Sequence, residues 1–207
     1  MDRSVNFWNK NAAAYDKEEM KDQQVRIKIL EKITQYLLKQ HEVLDFGCAT
    51  GILANEIAHE VHTVYGIDSS AQMIQIAQDK ANERHIPNIH YKHTILFDEE
   101  YKSGTFDVIL GIYMLHLLEN MPKALHRIHD LLKPGGLFIS VTPCLGKRSL
   151  TGIALLLISK VGLIPPHRLF NLAELEGTII NTGFKMQETT CIQRSGQQYF
   201  LVARKPS

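Results

Sequence analysis

Cysteine is scarce in this chain of 207 residues: Cys48, Cys144 and Cys191 stand far apart and form no C-x-x-C pair. That spacing argues against a disulfide scaffold and a thiolate zinc site, and points to a reducing compartment. An excess of either charge is also missing. Lys plus Arg number 23 and Asp plus Glu 22, a formal net charge of +1. Such a balance lacks the footprint of a protein that captures nucleic acid non-specifically. It favours a small, uncharged or amphipathic partner. Long apolar runs are absent too. The longest uncharged stretch near the C-terminal third, Ser149 to Ser159, has 11 residues, against the roughly 20 a membrane span needs. The N-terminus is polar and charged, with no leader pattern. A soluble, cytoplasmic protein with no stable membrane insertion is expected.

What is present is ordinary globular composition, 44% hydrophobic and 22% charged, which argues against disorder and against a coiled coil. A chain this long buries roughly 70% of its unfolded surface and needs no staple. One domain is expected over residues 1–207.

Strand-like and helix-like segments alternate along it. Val25, Ile29, Ile33 and Leu37 recur every four residues, as on an amphipathic helix. A short apolar run, Val43 to Phe46, breaks at Gly47 and Gly51. A helix over Ile52 to His59 and a strand over Thr63 to Ile67 follow. Asp68-Ser69-Ser70 offers cap chemistry to a helix with Met73, Ile74, Ala77 and Ala81 inward. Further strands are expected at Ile89–Ile95, Phe106–Tyr113 and Leu137–Val141. Between the last two lies a helix started by Asn120 and Pro122 and ended by Pro134-Gly135-Gly136. This βαβα order implies a parallel sheet covered on both faces by helices. The tail breaks the pattern: Met186–Ile192 and Tyr199–Ala203 flank the turn Arg194-Ser195-Gly196-Gln197, an antiparallel hairpin. About 40 residues separate Pro143 from Phe184, long for a strand connection and expected to carry function.

The sharpest local signal is Asp45-Phe46-Gly47-Cys48-Ala49-Thr50-Gly51. Two glycines with a small residue between them let the backbone turn tightly and approach a ligand. In open α/β sheets, ligands lie beyond the carboxyl ends of the strands. Seventeen residues after Gly51 stands Asp68, where an acid accepts hydrogen bonds from ribose hydroxyls. The alternative is a plain tight turn followed by a capping aspartate. The G-x-G-x-x-G fingerprint of dinucleotide folds and the G-x-x-x-x-G-K-[ST] phosphate loop are both absent. Asp45 would repel a phosphate and suit an ammonium, so a ribose ligand with a cationic end fits best.

At these residues the chain resembles the class I S-adenosylmethionine-dependent methyltransferases, closest to their small-molecule, type 11-like branch. Asp45-x-Gly47-x-Ala49-x-Gly51 is similar to their first motif. Gly66-Ile67-Asp68-Ser69-Ser70, Phe106-Asp107-Val108-Ile109, Leu115-His116 and Leu131-Leu132-Lys133-Pro134-Gly135-Gly136 follow in the family's order. The resemblance covers about Val43 to Val141 and implies a Rossmann-like, doubly wound α/β fold. Its seven-stranded sheet would have order 3-2-1-4-5-7-6 with the last strand antiparallel. It also implies a helical lid over residues 1–40 and a helical insertion over 144–183 near the acceptor. S-adenosyl-L-methionine is the implied cofactor, with no metal. Gly47, Ala49 and Gly51 would pack on its methionine portion, and Asp45 and the Gly111 carbonyl would meet its ammonium. Asp68 would hold the ribose, with Ser69 and Met73 beside the adenine. The family often has Asp-Ala after the third strand; here the aligned pair is His93-Thr94, which leaves adenine contacts to backbone groups or His93.

The implied reaction is an in-line methyl transfer, for which alignment alone supplies roughly 7–11 kcal/mol. A base is needed only for a protonated acceptor such as a phenol or enol. His116 is the candidate base, being an imidazole that titrates near neutrality just after the fourth strand; the alternative is a polar residue packed at a strand end. Tyr15 is the candidate lid residue at the methionine end, or else an aromatic anchor. Phe7 and Trp8 read as lid packing. His126 with His129, His90 with His93, Cys48, Asp98-Glu99-Glu100 and the basic pair Lys147-Arg148 read as solvated or filler positions, without metal, nucleophilic or nucleic-acid roles. The loop Gly111-Ile112-Tyr113-Met114 lacks the family's [DNS]-P-P-[YFW] run for nucleic-acid amines. It also lacks the paired glutamates of arginine modifiers and the carboxylates of catechol-type magnesium sites. A small-molecule acceptor remains. The apolar stretch Ser149–Leu163 would line its pocket or touch a membrane, or else pack on the core or form a homodimer face. Two other readings stand beside these: a non-catalytic cofactor-binding subunit, and a nicotinamide-dependent oxidoreductase.

Overall fold

The first strands the sequence marks, β1 (Glu42–Phe46) and β2 (Thr63–Asp68), pair in parallel, Asp45 opposite Gly66 and Phe46 opposite Ile67. In this computed structural model, which describes residues 3–19, 22–146, 149–161 and 163–207, five more strands complete one sheet. They are β3 (Ile89–His93), β4 (Phe106–Ile112), β5 (Leu132–Pro143), β6 (Lys185–Gln193) and β7 (Gln198–Arg204). Their order is β3-β2-β1-β4-β5-β7-β6, with β7 antiparallel to both neighbours. The expected Rossmann-like sheet is the observed one. Strand order reverses between β1 and β4, so a crevice opens beyond their carboxyl ends, where such sheets bind ligands.

Helices flank the sheet in the expected alternation: α1 (Arg3–Glu19), α2 (Gln23–Thr34), α3 (Ile52–Ile57), α4 (Ala71–Glu83), α5 (Met121–Leu131), α6 (Leu150–Lys160) and α7 (Leu172–Asn181). Their starts follow from the caps. The Ser70 hydroxyl accepts from Met73 N–H at 3.2 Å, and the Asn120 side chain accepts from Lys123 N–H with Pro122 in the first turn. Asn171 and Glu174 form a capping box. Ile29 and Ile33 of α2 and Met73, Ala77 and Ala81 of α4 are buried as their spacing predicts. β4 is buried along nearly its whole length, a strand covered on both faces.

Most boundaries shift by a residue or two from the sequence reading, and two of the differences matter here. β5 begins at Leu132, five residues before the expected start, because Leu132 turns extended and joins the ladder opposite Phe106. The helix therefore ends before Pro134 rather than at the glycines. β3 stops at His93, after which Thr94 N–H donates to the Asp68 carbonyl at 3.0 Å and the chain leaves the sheet. Lys147 and Arg148 lie outside the described residues. No helix among the described residues is long and apolar enough to cross a membrane.

Candidate functional site

After Phe46 the chain turns through three left-handed residues in five: Gly47 at φ +76°, Ala49 at +48° and Gly51 at +73°. Gly47 and Cys48 both donate their N–H groups to the Ile67 carbonyl, at 2.8 and 3.0 Å, which clamps the turn against the end of β2. A Cβ at Gly47 would fall 2.2 Å from Met114 Sδ, so a side chain there must displace the Met114 thioether besides holding a left-handed backbone. Ala49 takes a backbone conformation that costs an L residue roughly 1–2 kcal/mol. A hydrogen bond offsets it: Ala49 N–H donates to Asp68 Oδ2 at 3.1 Å.

Asp68 thus does two jobs at the end of β2. Its Oδ1 accepts from Ser70 N–H at 2.8 Å while Oδ2 holds the glycine turn. Burial raises its pKa, and these backbone bonds oppose the rise. Asp45, at the end of β1, is 3% exposed and forms no ion pair among the described residues. Burial and the neighbouring Asp68 charge push its carboxyl up to about 7. A buried carboxylate left so is costly. The arrangement is one that a bound cation would relieve.

Two cavities meet at this turn. The larger, about 850 Å³, runs from Asp68, Ser69, Met73 and Thr94 across Gly47 and Ala49 to His116. Its far end is walled by apolar side chains, among them Leu117, Leu155 and Ile164. The smaller, about 280 Å³, has Asp45 and Arg26 in its wall. Tyr15, Gly47, Ala49, Ile112, Tyr113 and Gln198 border both. Tyr113 is held at φ +56° and its hydroxyl donates to Gln198 Oε1 at 2.6 Å, which ties the end of β4 to the start of β7 between the two spaces. The Arg26 Nε is buried without a hydrogen-bond partner.

The roof comes from the chain's first helix and its long insertion. α1 is pinned above the glycine turn because Asp16 pairs with Lys80 and accepts from the Thr50 hydroxyl at 2.5 Å. The Ser70 hydroxyl reaches Asn9 Oδ1 at 2.6 Å. These contacts lay Trp8 and Tyr15, whose rings touch edge to face, along the cavity. At its other end, Arg3 donates to the carbonyls of Ser159 and Lys160 at the end of α6. Of the apolar helix α6, Leu155 faces the cavity, while Ile153, Leu157 and Ile158 are exposed, as are Val161 and Leu163 beyond its end.

Most of the residues singled out in the sequence gather here: Asp45, Gly47, Ala49, Asp68, Ser69, Met73, Thr94, Tyr15 and His116 all border one cavity or both. Three do not. Gly51 lies behind the turn, where a Cβ would strike the Tyr91 hydroxyl at 2.2 Å, so its glycine serves packing. His93 is exposed, its Nε2 3.0 Å from the Ser69 carbonyl oxygen on the outside of the cavity wall. Gly111 is buried within the sheet against Phe138, and the cavity begins one residue later, at Ile112. Trp8, read as packing, lines the cavity. Arg26, His167 and Gln198, which no sequence motif marked, also border these cavities.

His116 sits on a short helical turn after β4, and its Nδ1 is buried without a partner. Burial, aided by the nearby His167 ring, lowers its pKa to about 4, so the imidazole is neutral at physiological pH.

A family model described as a methyltransferase domain matches residues 15–189. Human arginine-hydroxylase NDUFAF5, mitochondrial, is 30% identical over 145 residues, 67% of this chain but 40% of that protein's length. A ubiquinone biosynthesis O-methyltransferase from Methylobacterium nodulans is 25% identical over 189 residues, 82% of this chain and 74% of that one. Among solved structures, the YcgJ protein of Bacillus subtilis superposes with a TM-score of 0.73 at 16% identity, covering 87% of this chain and 99% of that one, a likeness of fold.

Proposed function

The chain belongs to the methyltransferase family, and from that premise we propose that it binds S-adenosyl-L-methionine across the glycine turn and methylates a small, apolar or amphipathic acceptor. The observation that carries this reading is a buried Asp45 without an ion-pair partner and an Asp68 on either side of a left-handed glycine turn. Such a cradle fits a ligand with an ammonium and a ribose.

In this reading Asp45 faces the ammonium and Asp68 the ribose hydroxyls. Ser69, Met73 and Thr94 border the adenine, and Gly47, Ala49 and Tyr15 enclose the methionine chain. Arg26, with Asp45 in the smaller cavity, meets the ligand's carboxylate. Gly51 and His93 shape the site from behind, and Gly111 sets the strand end from which Ile112 enters it. Residues 1–40 act as a lid and 144–183 as the acceptor-side insertion of one domain.

The bound sulfonium supplies an electrophilic methyl group. The protein's own contribution is orientation and exclusion of water. α1 covers the donor end, and the lining beyond it, apolar at Leu117, Leu155 and Ile164 but also carrying Glu119, His167 and Arg168, suits an amphipathic acceptor. His116, neutral and beside that wall, is suited to accept a hydrogen bond from an acceptor hydroxyl; burial takes its pKa to about 4 rather than to the near-neutral titration expected from the sequence, so it is a weak base.

Calorimetry with S-adenosylhomocysteine, followed by transfer of labelled methyl to a panel of apolar phenols and amines, tests this. Binding with one-to-one stoichiometry and a labelled product are expected. Binding of a nicotinamide dinucleotide in place of S-adenosylhomocysteine would sink it.

A further inference from the structure

Helix α6 turns an apolar face outward. Its inner side is fixed to the body of the protein. Gly152 lies so close to Leu169 that a Cβ there would fall 2.9 Å from the leucine Cδ1. The Ser159 hydroxyl donates to the Pro165 carbonyl at 3.1 Å, and Arg3 donates to the Ser159 carbonyl. Gly152 and Ser159 are buried, and Leu155 borders the large cavity. At about 100° per residue, Ile153, Ala154, Leu157, Ile158 and Val161 share the opposite side, and all five are exposed. Leu157 is 59% exposed, Val161 73% and Leu163, just beyond, 69%. A surface helix normally centres its charged side chains on this face. Here the centre is aliphatic.

Charge surrounds the face instead, and it has one sign. From Cys144 to Ala173 the sequence carries Lys147, Arg148, Lys160 and Arg168 and no Asp or Glu. The rest of the chain has 19 Lys and Arg against 22 Asp and Glu. The near-neutral total therefore conceals a cationic segment on an otherwise slightly acidic protein. Lys160, seven residues after Ile153, stands at the edge of the aliphatic face, and both it and Arg168 are exposed.

This chemistry selects among partners. The core of a protein–protein interface draws on aromatic residues and on hydrogen bonds that fix its register. None of the five outward side chains is aromatic or can hydrogen-bond. A lipid surface needs only aliphatic side chains for its acyl-chain boundary and basic ones for its headgroups. At 11 residues, α6 is too short to span and would lie in the interface, since a span needs about 20.

We propose that α6 docks this protein on the surface of a bilayer containing anionic lipid, its aliphatic face in the acyl-chain boundary and its flanking basic residues at the headgroup phosphates. Docking is peripheral and reversible. Because Leu155 of the same helix borders the large cavity, the docked face and the acceptor end are two sides of one element. An acceptor dissolved in the bilayer would enter past α6; that consequence rests on the proposed methyl transfer, and docking itself does not.

Flotation of the full chain, without cofactor or acceptor, on vesicles of phosphatidylcholine alone or mixed with phosphatidylglycerol tests the proposal. Wild type is expected to bind the mixed vesicles at least about tenfold more tightly and to dissociate as salt rises. The double variant Leu157→Gln/Val161→Gln should lose at least about tenfold in affinity, since two exposed aliphatic groups no longer leave water. Lys160→Gln should lose about fivefold, the worth of one basic side chain at an anionic surface. Leu38→Gln, exposed before β1 at the other end of the sheet, should bind as wild type does. All these positions are exposed, so melting temperatures should match wild type. Should the double variant melt early, Leu157→Trp replaces it: brominated phospholipid should quench its added fluorescence and leave that of Leu38→Trp unchanged. Wild type that ignores both vesicle types or binds both equally, a double variant that floats like wild type, or a Leu157→Trp signal that is not quenched overturns docking. So does a wild-type dimer in sedimentation that the double variant dissociates, which would give the face to a second copy. Flotation without S-adenosylhomocysteine binding counts against the cofactor reading alone, and the reverse counts against docking alone.

Discussion

Ala49 and Asp68 are joined by a hydrogen bond of 3.1 Å from the backbone N–H of one to the carboxylate of the other, and that bond couples the left-handed glycine turn to the acid at the end of β2. The two motifs that look independent in the sequence are one structural unit. Asp68 shapes the turn with one oxygen and braces the start of α4 with the other.

Replacing Asp68 by Asn should therefore weaken S-adenosylhomocysteine binding by about 10- to 100-fold, since hydrogen bonds to a charged group contribute roughly 1.5–3 kcal/mol. Asp68→Ala should be worse and also lower thermal stability, because Ala49 N–H and Ser70 N–H lose their acceptor. Calorimetry and melting curves on both variants check this. A less than threefold effect of Asp68→Asn would remove the acid from the binding site.

Asp45 gives a pH dependence with a definite sign. Its carboxyl titrates near 7 in the fold instead of near 3.8, so between those values the folded protein holds a proton the unfolded chain has released. Stability from this group is present at low pH and is lost as pH rises through about 7. Asp45→Asn should stabilise the ligand-free protein at pH 8, by up to about 4 kcal/mol for a shift of this size, and hardly at all at pH 4. Ligand binding runs the other way. An ammonium needs the carboxylate, so wild-type affinity should fall as pH drops below about 7, and Asp45→Asn should bind weakly with a flat profile. Denaturant melts and calorimetry across pH 4–8 test both halves, and a wild-type affinity flat across this range would contradict the assignment.

The strands and the glycine turn were legible in the sequence because short-range signals carry them; the strand order came from the family resemblance. Apolar runs bounded by Gly and Pro marked β1, β2 and β4, and Ser70 and Asn120 marked helix starts. What the sequence left unplaced was a matter of one residue or of long distance. His93 and Gly111 lie beside Thr94 and Ile112, which do line the cavity, and a strand's alternation moves a neighbour to the other face. Leu132 reads as the last inward residue of a helix, yet its pairing with Phe106 makes it the first of a strand. Arg26, His167 and Gln198 come from segments brought together only by the closed fold. No local pattern joins them to Asp45 or His116.

Gly47 is expected to be the least replaceable position in the turn. Alanine there carries a left-handed penalty of roughly 1–2 kcal/mol, and its Cβ would meet Met114 Sδ at 2.2 Å, an overpacking cost of about 1–3 kcal/mol more. Gly47→Ala should thus lose about 2–5 kcal/mol in denaturant melts together with ligand binding. Adding Met114→Ala removes the collision but not the backbone strain, so the double variant should recover only part of the loss. Full recovery would mean that the turn tolerates alanine and that Met114 alone sets the constraint.

Arg26 offers a way to tell which end of the ligand occupies the smaller cavity. Its Nε is buried and unpartnered, in the wall that also contains Asp45, and a guanidinium so placed is suited to a carboxylate. Arg26→Ala should weaken S-adenosylhomocysteine by about 10- to 100-fold, the worth of one charge-assisted bond. It should leave 5′-methylthioadenosine, which lacks the amino-acid end, within twofold of wild type. Arg26→Lys keeps the charge but not the planar fork and should fall between them. Calorimetry with the two ligands separates the outcomes: equal weakening of both would make Arg26 a support for the fold, and no weakening of either would take the amino-acid end out of this cavity.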